Sequence, residues 1–180
     1  MASAHLLAEH EAGEYFTRLF CERGDKNMDK RLIALLIANG ALVMLAGFIS
    51  GFPYGSAVTA QIASGGAGMV GDVRAWHMAH LEGVLNGMVM IAIAAGCGQI
   101  AMSKTRARII FWGLIVAGWT NVVASNISAL TGGRGTGVTG LDWNTFDFVV
   151  FMAGIVGAVA AVVTLALAGI KAAKETHNQT

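Results

Sequence analysis

The chain predicts an all-α, integral membrane four-helix bundle with both termini in the cytoplasm. Three observations carry this. Four apolar segments, roughly 32–51, 78–102, 109–130 and 146–170, each meet the ~20-residue length that spans a hydrocarbon core. The composition is 55% hydrophobic and only 13% charged over 180 residues, which suits one small membrane domain rather than a soluble one. Lysine and arginine are distributed unevenly between the connections, which sets the orientation. A net charge of +1 gives no reason to expect a nucleic acid partner.

Residues 1–30 form an N-terminal cytoplasmic or interfacial segment, 31–171 the transmembrane domain and 172–180 a short tail. Within the first segment, Leu6, Leu7, Phe16, Leu19 and Phe20 lie among acidic positions and suit a short amphipathic helix on the inner surface. A signal peptide is not expected there, because charges interrupt every apolar stretch. The first span itself serves as the insertion signal. Five cations (Arg18, Arg23, Lys26, Lys30, Arg31) precede it, three (Lys104, Arg106, Arg108) lie between spans 2 and 3, and two (Lys171, Lys174) follow span 4. The other two connections carry only Arg74 and Arg134, so the positive-inside rule places both termini in the cytoplasm. Those outer connections, 53–75 and 131–144, are glycine-rich and can either fold over a site or serve as plain links. Tyr54, Trp76 and Trp143 at outer helix ends and Trp112 at an inner end suit interfacial anchoring.

Cys21 and Cys97 show neither a disulfide framework nor zinc-finger spacing. The polar residues of the spans are more informative. Ionisable and amide side chains are costly in hydrocarbon, yet His77, His80, Glu82, Asn86, Asn121, Ser125, Asn126 and Asp147 all fall in the outer half once the topology is applied. Span 2 enters from outside, span 3 from inside and span 4 from outside, so three helices contribute to one layer. His77, at the interface, suits a solvated helix start. His80, one turn deeper, can be a hydrogen-bonding group, a proton relay or a metal ligand.

Gly83 and Gly87 lie within about 60° of His80 on the helix face. Two readings stay open for them. They can leave a flat wall for a planar macrocycle with His80 as axial ligand, or they can pack closely against another helix. The remaining histidines, His5, His10 and His177, lie in the tails, so a two-histidine electron-transfer haem is disfavoured. A haem here would have one protein ligand and an open face, suited to small-molecule binding or Lewis-acid chemistry. Glu82 is expected to face a cavity, a helix or water. Asn86 points about 120° away from His80 and would reach a neighbouring subunit's ligand rather than its own. Asn121 and Asn126 serve either as interhelical hydrogen-bonding groups or as pocket lining. Asp147 suits the first turn of its helix.

The stretch Trp76-His77-Met78-Ala79-His80-Leu81-Glu82-Gly83-Val84-Leu85-Asn86-Gly87-Met88 resembles the second helix of the bacterial styrene oxide isomerases. So do Gly118-Trp119-Thr120-Asn121, Ser125-Asn126-Ile127-Ser128, Arg134-Gly135 and the acidic Asp147 at the start of span 4. The resemblance covers about residues 30–170. It implies a homotrimer in the bacterial inner (cytoplasmic) membrane that binds ferric haem b, with His80 as the axial ligand and metal contact. Gly83 and Gly87 would lie beside the cofactor. Asn86 would position a small hydrophobic epoxide, and Asn121 and Ser125 would be further site residues. The implied reaction is a Meinwald-type rearrangement. The ferric iron acts as a Lewis acid on the epoxide oxygen, and a 1,2-hydride shift across the opened ring gives an aldehyde. Two positions depart from the family pattern. Ala117 stands where the family has an aspartate, and Ser125 where it has a pocket tyrosine. These departures imply a bulkier or different substrate, or lost activity. Two other readings follow from the residues: a haem-binding membrane sensor or carrier without turnover, and a haem-free transporter or assembly protein using Glu82 and Asp147.

Overall fold

A computed structural model describes residues 27–68 and 70–177. The amphipathic segment expected at residues 5–20 lies outside the described residues. Among the described residues four helices follow one another: α1 (Lys30–Ser64), α2 (Val73–Cys97), α3 (Lys104–Thr131) and α4 (Trp143–His177). All four are long and apolar enough to cross a membrane, and no strand forms among the described residues.

Each helix starts at a residue whose side chain can take an orphan N–H. Asp29 accepts from the Arg31 N–H at 2.7 Å, Asp72 from Arg74 at 2.8 Å, Ser103 from Arg106 at 3.4 Å and Asp142 from Thr145 at 2.8 Å. The Asp142 carboxyl is held below its ordinary range by that backbone N–H and by the Thr139 hydroxyl. Its cap is therefore kept at neutral pH and weakens only in acid, as pH falls through the lowered folded value. At the other end, α1 and α3 stop at Gly65 and Gly132, whose φ angles of 65° and 76° are left-handed.

Two boundaries differ from the sequence expectation. Helix α1 does not stop near Gly51 but continues through Pro53 to Ser64. Proline costs one intrahelical N–H and does not by itself end a helix held by packing. The extension keeps contact through buried Ala57, and its Ser56, Thr59 and Ser64 hydroxyls donate to carbonyls four residues back. The outer connection shrinks accordingly to residues 65–72. Helix α4 continues past Ile170 to His177, through a run of good helix formers and a Lys171–Glu175 pair at 3.5 Å.

The helices meet along small-residue seams. On α1 the buried positions Leu36, Gly40, Val43, Gly47 and Ser50 recur at three- and four-residue intervals, with Ala57 two turns further on, all on one face of the helix. On α2 the matching face is Ala79, Gly83, Gly87, Met90 and Ala94. The backbones almost touch. A Cβ on Gly47 would lie 2.5 Å from the Val84 nitrogen, and one on Gly87 would lie 2.5 Å from the Gly40 carbonyl oxygen. The expectation of Gly83 and Gly87 as an open wall for a macrocycle is thereby corrected: α1 occupies that face, and the glycines are packing residues.

Helices α3 and α4 use the same device, since a Cβ on Gly113 would lie 2.5 Å from the Gly157 oxygen and 3.0 Å from the Ala161 Cβ. Helix α3 also packs on α2 and α1, and Leu36, Val43, Met90, Cys97, Ile110 and Leu114 fill the shared core. Helix α4 packs on α3 alone. The bundle is therefore open between α2 and α4. Its outer surface carries apolar side chains such as Phe48, Phe52, Val156 and Val163, as lipid contact requires.

Replacing Gly83 by valine forces α1 and α2 apart. The expected cost is about 1–3 kcal/mol or more, the range of core overpacking. A lower thermal midpoint of the detergent-solubilised protein would report it, whereas Gly55→Val, where nothing lies within 4 Å of the added Cβ, removes no seam.

Candidate functional site

The polar layer divides between the two faces of α2. His80 lies toward α1. Its Nδ1 is 2.9 Å from the Gly47 carbonyl oxygen. A carbonyl only accepts, so Nδ1 carries the proton and donates. That leaves the Nε2 lone pair, the ring's other nitrogen, as the one able to accept a proton or bind a metal. Gly51 makes room for the ring, since a Cβ there would lie 3.1 Å from Nδ1. Tyr54, one turn along α1, stacks nearly parallel to the His80 ring at 6.2 Å and on His77 at 5.0 Å. Tyr54, expected to be an interfacial anchor, thus also braces both histidines.

On the other face, Glu82 is about 160° from His80 and about 40° from Asn86. The Asn86 amide donates to the Glu82 backbone carbonyl at 2.8 Å. Glu82 lines a cavity of about 530 Å³ in the gap that α4 leaves by not touching α2. Helix α3 contributes Ser125, Ser128 and Ala129 to its lining, Met78 comes from α2, and Phe151 from α4. Arg74, in the first turn of α2, and Arg134, in the connection between α3 and α4, also line it. The Glu82 Oε2 atom is buried and has no hydrogen-bond partner. A polar atom so placed is costly unless a ligand, a proton or water answers it.

Of the residues expected at the site, Ser125 lines this cavity and donates its hydroxyl to the Asn121 carbonyl at 2.7 Å. Asn121 itself turns to α4, where its Oδ1 would lie 2.8 Å from a Cβ on Gly154. Asn126 ties α3 to α1 by accepting from the Ser50 hydroxyl at 2.8 Å. Trp119 makes a second such tie, its indole N–H donating to Asn39 Oδ1 at 3.0 Å. Ala117 is buried on α3. The structure does not gather His80, Asn86, Asn121 and Ser125 around one point within a single chain. Glu82, expected to face a cavity, a helix or water, faces the cavity; Met78 and Phe151 were missed, since spacing along one helix does not reveal which gap between helices stays open.

Asp147 is fully buried beside this cavity. Its Oδ2 accepts from the Ser128 hydroxyl at 2.7 Å, and its Oδ1 has no partner. The loop after α3 folds over it closely, for a Cβ on Gly133 would lie 2.8 Å from Oδ2. Asp147 thus fastens the start of α4 to the end of α3.

A small polytopic membrane protein with a histidine, His80, anchored to a backbone carbonyl within its spans and a cleft lined by Glu82 and Ser125 is the class that fold and site define. The chain belongs to the styrene oxide isomerase family, whose sequence profile matches residues 32–173. No curated protein matches it.

Ser128→Ala is expected to destabilise by about 1–3 kcal/mol, the cost of leaving a buried acceptor unanswered. Adding Asp147→Val to Ser128→Ala should cost less than the two single losses together. A double-mutant cycle on thermal midpoints checks this coupling.

Proposed function

We propose that this protein is a membrane isomerase that rearranges an epoxide to an aldehyde, with haem b held by His80. The observation that carries the reading is the His80–Gly47 hydrogen bond. It fixes the tautomer and raises the basicity of the free nitrogen, as the outer partners of metal-bound histidines do. The donor set agrees. Among the described residues no group of three His, Cys, Asp or Glu side chains could hold a metal ion. A metal bound here would therefore have to bring most of its own ligands, as the iron of a macrocycle does. Family membership supports the epoxide chemistry.

His80 would hold the group through Nε2, and bound ferric haem would supply Lewis acidity toward an epoxide oxygen. The chain's own residues do the rest. An epoxide-to-aldehyde rearrangement is redox-neutral and moves a hydride within the substrate, so the protein needs no stoichiometric acid, base or reductant. It must instead orient the substrate and keep water from the opened ring, because water would give a diol. Met78, Ala75, Ala129 and Phe151 supply apolar walls suited to this exclusion. Asn86 presents an amide oxygen or N–H on the Glu82 face, away from its own His80. Both residues act on one substrate only if one subunit's cleft meets the haem of a second, so the reading includes a homo-oligomer, a trimer by analogy with the family. It also places the protein in a bacterial cytoplasmic membrane with both termini inside, on the charge distribution.

Ser125 bears on the substrate. A tyrosine there would project its ring from α3 into the cavity, whereas the serine leaves that volume open. The cleft therefore suits an epoxide with a larger substituent than a phenyl ring.

Two experiments test the reading. Wild-type protein purified in detergent should show a ferric Soret band, and His80→Ala should lose it while still inserting and assembling. A normal band in that variant overturns the assignment. Asn86→Ala should keep the band and lower kcat/KM for epoxide isomerisation by about tenfold or more, the scale of losing one positioning hydrogen bond to a reacting group. A spectrum without turnover of any epoxide in a size-graded panel would favour a haem-binding sensor or carrier, the reading that Ala117 and Ser125 support.

A further inference from the structure

The other end of the bundle holds a second cavity, of about 910 Å³, between the N-terminal ends of α1 and α3. Four cations line it: Lys30 and Arg31 from α1, Lys104 and Arg108 from α3. The carboxylate in its lining, Asp29, is already committed to capping the Arg31 N–H at 2.7 Å. The ion pair formed among the described residues, Lys171–Glu175, lies outside its lining. Two helix N-termini open toward this region and add their positive dipole ends to the same field. The wall continues along the helices as apolar and aromatic surface, with Leu35 41% and Trp112 62% exposed. This combination has a direction. Cations cluster where the spans end, and the greasy wall runs from them toward the hydrocarbon.

A soluble anion would use the cations and leave the apolar wall unused. A neutral lipid would use the wall and leave four like charges facing each other. We propose that this cavity is a binding site for an anionic phospholipid. Its phosphate lies among Lys30, Arg31, Lys104 and Arg108, and an acyl chain lies along Leu35 and Trp112. Basic pockets between membrane helices hold acidic headgroups by this chemistry, each nearby cation contributing a few-fold in affinity. The site is independent of the epoxide chemistry, since it lies at the opposite end of α3 from Ser125 and Ser128.

The test uses the full-length protein reconstituted in nanodiscs of phosphatidylcholine with a minor fraction of phosphatidylglycerol, released by detergent and examined by native mass spectrometry. The wild type should retain phosphatidylglycerol well beyond its share of the bilayer. Lys104→Gln with Arg108→Gln should weaken that retention by about twenty-five-fold, from two cations at roughly fivefold each. Lys171→Gln with Lys174→Gln, which removes the same charge outside the cavity, should leave it unchanged. Equal losses in the two double variants would reduce the effect to general surface charge and overturn the site. Equal retention of phosphatidylcholine, or displacement of phosphatidylglycerol by inorganic phosphate but not by sodium chloride of equal ionic strength, would also overturn it. A second readout guards against loss of assembly. Phosphatidylglycerol with brominated acyl chains should quench tryptophan fluorescence in the wild type, and Trp112→Phe should abolish most of that quenching with the protein intact.

Discussion

The contact between α1 and α2 is the constraint from which the rest of the structure follows. In lipid no hydrophobic driving force holds helices together, so close backbone approach must do it through van der Waals contact. Gly40 and Gly47 on one helix and Gly83 and Gly87 on the other leave no room for a single added carbon. This approach does more than join two spans. It brings the Gly47 carbonyl within 2.9 Å of His80 and so decides which imidazole nitrogen is protonated. The glycines expected to flank a cofactor instead orient the histidine proposed to hold it. A side chain added at Gly47 would disturb the site without being near any substrate.

The second pair of helices works differently. Helix α4 has one partner, and its small-residue seam through Gly154, Gly157 and Ala161 holds it to α3. Because it does not reach α2, a gap remains, and that gap is the cleft. The Ser128–Asp147 hydrogen bond fixes one edge of it. Replacing a buried polar pair by apolar side chains often costs little stability. Its retention beside a cavity with an unanswered Glu82 oxygen fits a role in holding the cleft's shape.

Much of this was legible in the sequence. Hydrophobic length is a nearly direct reading of the bilayer, so the four spans follow from it. The caps were not read there, because Asp29, Asp72, Ser103 and Asp142 stand three to six residues before the apolar stretches, in polar turns that hydrophobic length does not register. The depth of the polar layer followed from topology alone. What remained illegible was lateral. The angular offset between His80 and Asn86 can be computed from the helix repeat, but not which neighbour each face meets. Gly83 and Gly87 therefore stayed ambiguous until α1 was seen to cover them. The end expected for α1 near Gly51 failed in a different way. A proline penalises a helix locally, and whether the helix survives depends on packing beyond it, here at Ala57.

The split of α2 into two faces bears on the level at which the site is built. His80 and Glu82 are only two residues apart, yet α1 stands behind one and the cleft opens beside the other. A rigid helix cannot rotate both toward a common point, and its glycine seam forbids a twist that would separate it from α1. A site that uses only one chain must then use either the imidazole or the cleft. A site that uses both must bring the cleft of one chain to the imidazole of another. The closely packed seam of α1 and α2 makes the first half of such a site rigid, and the open side of α4 leaves the second half accessible. An assembly that joins them would position a reacting epoxide between two preformed surfaces, which is the arrangement in which orientation contributes most to rate. If the proposed epoxide chemistry uses both, oligomerisation belongs to that chemistry, and separation of the subunits should abolish turnover without changing how His80 is held.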